Sequence, residues 1–167
     1  MASDAAVRDL IDREAIRQVL VRYCRAVDRR DEELLRSVYH PDAVHEHGAY
    51  RMNGHEFAAV IVASIAQYSC TTHFLTNETI ELEQPLAHVE SYVLAVHRFE
   101  RAGAERALTL ALRYLDRFER RDQSWRIAER VAVHDWSRDE PVTGRWSDAD
   151  SMVQGRRDRE DASYRGR

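Results

Sequence analysis

The order of hydrophobic periods in this 167-residue chain predicts an α+β fold, with a sheet curling around helices and leaving a hollow. In the first third, apolar residues recur at three and four, the spacing of helices buried along one stripe. From Thr71 onward, long runs rich in Val, Ile, Leu, Thr, Tyr and Phe take over. They are broken at Gln84-Pro85, Ala102-Gly103-Ala104 and Arg121-Asp122-Gln123, which predicts long antiparallel strands joined by turns.

Residues 5–29 place Val7, Leu10, Ile11, Ala15, Ile16, Val19, Leu20, Tyr23 and Val27 on one helical stripe. A second, short helix over 31–39 is capped by Asp31, carries Glu32 and Glu33 in its first turn and closes before Pro41. Residues 42–47 and 49–52 read as short strands joined near Gly48. Asn53-Gly54 then leads into a third helix over 56–68, whose Phe57, Val60, Ile61, Val62 and Ile65 surround it and predict burial. Strands follow at 71–83, 87–101, 107–120 and 125–138. Within 87–98 both parities are apolar. One gives Ala87, Val89, Val93 and Ala95 and the other Tyr92, Leu94 and Val96, which predicts cover on both faces, the second by a subunit contact. After Pro141 the pattern stops. Residues 1–143 read as one domain and 144–167 as a polar tail, mobile or a lid over the hollow.

Composition narrows the partners. A hydrophobic content of 44% in a chain of this length supports one core. The net charge of -4 comes from interleaved Arg, Asp and Glu, so neither a nucleic-acid footprint nor an acidic block is formed. Cys24 and Cys70 have no metal-like spacing and are too few for a disulfide scaffold, which suits a reduced, cytoplasmic setting. Residues 1–9 lack the apolar run of a signal peptide, and no membrane partner is expected. His45 and His47 share a strand face, flanked by His40 and His55, but no second ligand set accompanies them. Neither a metal nor another cofactor is expected.

Several motifs agree in order with a known family. They are Asp12-Arg13-Glu14-Ala15-Ile16-Arg17, Arg22-Tyr23-Cys24-Arg25-Ala26-Val27-Asp28, Tyr39-His40-Pro41-Asp42-Ala43, Thr72-His73-Phe74-Leu75-Thr76-Asn77, Tyr114-Leu115-Asp116-Arg117-Phe118 and Trp125-Arg126-Ile127. Over residues 9–138 the chain resembles the SnoaL-like branch of the nuclear transport factor 2-like superfamily. Within it, the motifs are similar to lyases of the scytalone dehydratase, bile acid 7α-dehydratase and hexachlorocyclohexane dehydrochlorinase type. The resemblance implies a cone-shaped α+β barrel with a blind apolar pocket. It places His73 where those lyases hold their base and Asp28 where they hold the carboxylate that orients it. Tyr23 matches the helix tyrosine of the bile acid enzyme, Arg130 matches a pocket arginine, and His97 falls near a second histidine of scytalone dehydratase. The second carboxylate of the bile acid enzyme has no counterpart here. The family also holds isomerases, cyclases and hydrolases, so membership alone does not give a substrate.

Each of these residues also has a plainer reading. Asp28 falls in the last turn of the first helix, where the helix dipole disfavours a carboxylate, so something should compensate it. It reads either as a turn residue or as the acceptor that fixes the His73 tautomer. Arg130 shares a strand parity with Ala132 and His134. Inside an apolar hollow it needs a carboxylate or an anionic intermediate, with Asp28 or substrate as partner; outside, it would bridge Glu129 or Asp116 at the surface. Tyr23 lies on the buried stripe and serves as core or as hydrogen-bond donor. The expected lining of the hollow is Tyr50, Val93, Ala95, His97, Leu110, Leu112, Tyr114, Ala132 and His134.

The resulting expectation is a cofactor-independent, dehydratase-type lyase. It acts on a hydrophobic, polycyclic or aromatic small molecule by His-Asp assisted proton abstraction. The alternatives are a ketosteroid-isomerase-like isomerase, and a non-catalytic binding or structural subunit such as the small subunit of a ring-hydroxylating dioxygenase. The lyase resemblance implies a homo-oligomer, a trimer or alternatively a dimer.

Overall fold

A computed structural model describes residues 4–144 and 146–166. Helix α1 (Asp4–Arg29) is followed by α2 (Glu32–Ser37), β1 (Tyr39–His47), β2 (Tyr50–Asn53) and α3 (Gly54–Ser64). A 3-10 turn (Ile65–Gln67) leads to four long strands, β3 (Cys70–Glu83), β4 (Leu86–Arg101), β5 (Ala104–Arg121) and β6 (Ser124–Pro141). The six strands form one curved, mixed sheet in the order β2-β1-β6-β5-β4-β3. It does not close, because β2 and β3 remain its edges. All neighbours are antiparallel except β1 and β6. Register shifts between Leu75 and Glu78 in β3, and at Ala111/Leu112 and Arg117/Phe118 in β5, interrupt the ladders in the way that bends a sheet.

The amphipathic stripe of α1 is buried from Asp12 onward, through Ile16, Val19, Leu20, Tyr23, Ala26 and Val27. Its first turns leave Leu10 63% exposed. Helix α2 is shorter than the sequence suggests. Asp31 caps it, accepting from the Leu34 amide at 3.1 Å, but Val38 ends it and Tyr39 already opens β1. Pro41 is accommodated in that strand because the β1–β6 register shifts between Tyr39 and Val44, leaving it outside the ladder. Gly54 begins α3 because the Tyr39 ring leaves no room for a side chain: a Cβ there would lie 2.8 Å from it.

The expected burial of α3 on all sides is corrected. Only Gly54, Phe57 and Ala58 are buried, and Val60 is 43% exposed. The helix lies at the rim, packed mainly on β1 and α2, with lesser contact to β2 and to the 3-10 turn that follows it.

One parity of the long strands faces α1: Val89, Val93 and Ala95 on β4, Leu112, Tyr114 and Phe118 on β5, and Ile127 and Arg130 on β6. With the α1 stripe, its apolar members build the core. The other parity leaves Phe74, Tyr92, Leu115 and Trp136 exposed on the outer face. Beyond β6, the tail returns across the junction of α1 and α2. Arg159 reaches Asp31 and Glu33, and the Tyr164 hydroxyl donates to Asp31 at 2.9 Å. No helix among the described residues is long and apolar enough to cross a membrane.

Candidate active site

Helix α1 delivers Asp28 in its last turn, and β3 enters beside it with Thr71 and His73. Thr71 is opposite His97 and His73 opposite Ala95 on β4. The three converge: His73 Nδ1 lies 2.7 Å from Asp28 Oδ1, the His73 amide donates to Oδ2 at 3.0 Å, and the Thr71 hydroxyl donates to Oδ1 at 3.0 Å. The side chains of His73 and Asp28 are 6% and 13% exposed. A carboxylate only accepts, so the ring proton sits on Nδ1 and the Nε2 lone pair is left bare. Among the described residues no hydrogen bond engages Nε2.

The His97 ring stands edge-on to His73, with centroids 5.6 Å apart, and stacks on Tyr68. Burial, reinforced by His73, pushes His97 down to about 4, so it is neutral at neutral pH. Its Nδ1 is buried without a hydrogen-bond partner among the described residues.

Deeper in, Arg130 is fully buried and pairs with Asp116, its neighbour across the β5–β6 ladder. Nε and Nη2 donate to the two carboxylate oxygens at 2.6 Å each. The Tyr23 and Tyr114 rings each lie 4.1 Å from the guanidinium carbon. This answers the question of Arg130's partner: it is neither Asp28 nor a surface contact, but a buried Asp116. Burial opposes both charges, and the bidentate contact keeps Arg130 well above its ordinary value. Its Nη1 has no hydrogen-bond partner among the described residues.

Next to it, the Tyr39 hydroxyl meets His45 Nδ1 at 2.7 Å, while Phe57 stacks on the His45 ring at 3.5 Å. Burial, then Arg130, drives His45 down to about 2. His47 is lowered by burial, then by Arg130 and His73, so it lies within electrostatic reach of both. His45 Nε2 and His47 Nδ1 are further buried nitrogens without hydrogen-bond partners among the described residues. No group of three or more His, Cys, Asp or Glu side chains among the described residues is placed to hold a metal ion.

Val93, Ala95, Leu112 and Tyr114 are buried on the inward face, and Leu110 and Ala132 pack half-buried against the core. Two expected lining residues are corrected. Tyr50 is 56% exposed on β2, and His134 is exposed where β6 runs past the helices. Tyr23 is buried, its hydroxyl raised by burial. Thr71, His45 and His47 were not among the expected site residues; the alternation His45-Glu46-His47 on a strand was the signal for the last two. A groove on the outer face, along Thr79, His88, Leu115 and Val131, carries no comparable convergence.

A model of the SnoaL-like domain matches residues 8–131. The chain belongs to the SnoaL-like family. No curated protein matches it. Among solved structures, this SnoaL-like chain is similar to the hexachlorocyclohexane dehydrochlorinase LinA-type3 from Novosphingobium barchaimii LL02. The identity is 22%, with 83% of this chain and 94% of that one covered, at a TM-score of 0.71. A putative scytalone dehydratase from Novosphingobium aromaticivorans DSM 12444 is 21% identical over 81% and 91% of the two chains, at 0.70. A conserved protein from Planctomyces limnophilus DSM 3776 is 25% identical over 75% and 98%, at 0.63. At these identities the likeness to the dehydrochlorinase and the putative dehydratase is one of fold.

Proposed function

We propose that this SnoaL-like chain is a cofactor-independent lyase of the dehydratase type, acting on a hydrophobic, polycyclic or aromatic small molecule. The observation that carries the reading is the His73–Asp28 pair, with Nδ1 held at 2.7 Å and Nε2 free. A base with a fixed tautomer takes a proton from carbon next to a carbonyl, and Asp28 stabilises the imidazolium that forms. The electron pair moves onto the carbonyl oxygen, which Arg130 Nη1 or the Tyr23 hydroxyl meets as donor. As the enolate re-forms its carbonyl, the bond to a β-hydroxyl breaks and the imidazolium proton goes with it, so that water leaves. Neutral His45, His47 and His97 keep the surroundings polar without adding charge. The fold shared with a putative scytalone dehydratase and a dehydrochlorinase supports the same reading. The protein works in the reduced cytoplasm as a homotrimer, alternatively a dimer, with Phe74, Tyr92 and Leu115 covered between copies.

The test is a panel of fused-ring β-hydroxyketones incubated in D2O with the parent protein and with His73→Ala. Loss of one water by the parent alone supports the lyase. Deuterium uptake with double-bond migration and no loss of water would make it an isomerase. Binding without either change would make it a ligand carrier.

A further inference from the structure

Asp28 occupies an electrostatically poor position, the final turn of α1, where the last backbone carbonyls concentrate negative charge. Arg29 in that same turn reaches toward Asp161 at 3.5 Å, and Arg30, just past the helix, donates to the Val62 carbonyl. A further cation arrives from the tail, 129 residues away in sequence, and bonds the helix end itself. Arg157 Nε donates to the Asp28 carbonyl at 3.3 Å, Nη1 to the carbonyls of Ile65 at 2.8 Å and Tyr68 at 2.5 Å, and Nη2 to Thr71 Oγ1 at 3.3 Å.

The last contact sets a direction. A guanidinium has donors only, so Thr71 Oγ1 must accept from Arg157, and its single proton is left to point at Asp28 Oδ1, 3.0 Å away. That oxygen is the one held by His73 Nδ1. We infer that Arg157 is a positioning residue for the dyad: by fixing the Thr71 hydroxyl it orients the Asp28 carboxylate that selects the His73 tautomer. Docking of the C-terminal tail and readiness of the base are thereby one event. The inference rests on the reading of His73 as a base whose tautomer matters.

The test needs no substrate. Full-length protein labelled with 15N-histidine reports the protonation of each imidazole nitrogen, with His73→Gln assigning the His73 signals. The parent should show His73 protonated at Nδ1. Arg157→Gln and Thr71→Val should each shift the tautomer ratio about fivefold toward Nε2–H, the scale of one lost hydrogen bond. Thr71→Ser should keep the parent pattern, since it retains the hydroxyl. The Arg157→Gln/Thr71→Val double variant should add nothing to either single change, because both break one chain of bonds. The His45 signals, held by Tyr39, should stay fixed throughout.

A His73 tautomer unmoved by Thr71→Val, or moved equally by Thr71→Ser, overturns the proposal. So does movement of His45 together with His73, which would show that Arg157 merely holds the fold. Where Arg157→Gln does not fold, the Thr71 pair decides, since it leaves the tail's other anchors in place. Failure of the dehydration assay with an intact tautomer response would sink the lyase reading alone.

Discussion

Arg130 and Asp116 face each other across the β5–β6 ladder through two hydrogen bonds of 2.6 Å, both side chains fully buried. The Tyr23 and Tyr114 rings each lie 4.1 Å from the guanidinium carbon and meet each other edge-on, with centroids 5.4 Å apart. A buried ion pair is weak evidence for stability, because desolvation offsets much of the attraction, yet removing one partner strands a charge. The pair is wholly removed from solvent, and Arg130 Nη1 is buried with no hydrogen-bond partner among the described residues.

Arg130→Met should lower stability by about 3–5 kcal/mol, the cost of leaving a buried carboxylate uncompensated. Arg130→Met with Asp116→Leu should recover most of that loss, since no charge is then left behind. Urea midpoints at unchanged slope read both. A double variant as unstable as the single one would mean that the pair is itself strongly stabilising.

Replacing the base should separate chemistry from folding. His73→Ala is expected to keep its cooperative unfolding and lose about 10²–10⁴-fold in turnover of an identified substrate. Asp28→Asn should act in the same direction, keeping the size but not the charge that steadies imidazolium. Parent-like turnover in both variants would end the assignment of this dyad.

Stability should fall as the pH drops from about 6.5 toward 4. His45 is held down to about 2 and His97 to about 4 in the folded protein, so the unfolded chain takes up protons that the folded one refuses. The stabilisation is complete above the unfolded value and is lost on acidification. Each histidine contributes a slope of about 1.4 kcal/mol per pH unit in that window. His45→Gln should reduce the slope by about one proton; an unchanged slope in urea titrations would show that His45 protonates inside the fold.

Asp12 anchors α1 to the sheet, accepting from Trp125 Nε1 at 2.7 Å, Gln84 Nε2 at 2.5 Å and Arg120 Nη1 at 3.3 Å. Trp125→Phe removes one donor to a nearly buried carboxylate and is expected to cost about 1.5–3 kcal/mol, read by thermal or urea unfolding. A cost below experimental error would assign the anchor to Arg120 and Gln84.

The elements were legible wherever a local rule governs them. The α1 stripe and the runs that became β3 to β6 follow from backbone periods of 3.6 and 2, which act over a few residues. Asp31 as a cap is equally local. Helix α3 was misread because an apolar circumference does not say how many neighbours will cover it. Pro41 looked like a boundary, but the register shift opposite β6 let a strand pass through it. Tyr50 and His134 were assigned by strand position, which does not reveal where the helices stop covering the sheet.

The sequence by itself determined the helix-then-sheet order and, through its motifs, named His73, Asp28, Tyr23 and Arg130 together. It also showed that something should compensate Asp28 at its helix end. Only the tertiary structure decided that Thr71 and His73 meet the Asp28 carboxylate, that Arg157 bonds the Asp28 carbonyl at the helix end, and that Asp116, not Asp28, takes Arg130. The physical reason is one of range. Periodicity and capping are short-range properties of the backbone, whereas the donors that meet a helix end or a buried carboxylate are whichever ones the folded path brings within hydrogen-bond reach. For Arg157 and Asp28 that path spans 129 residues and leaves no periodic trace.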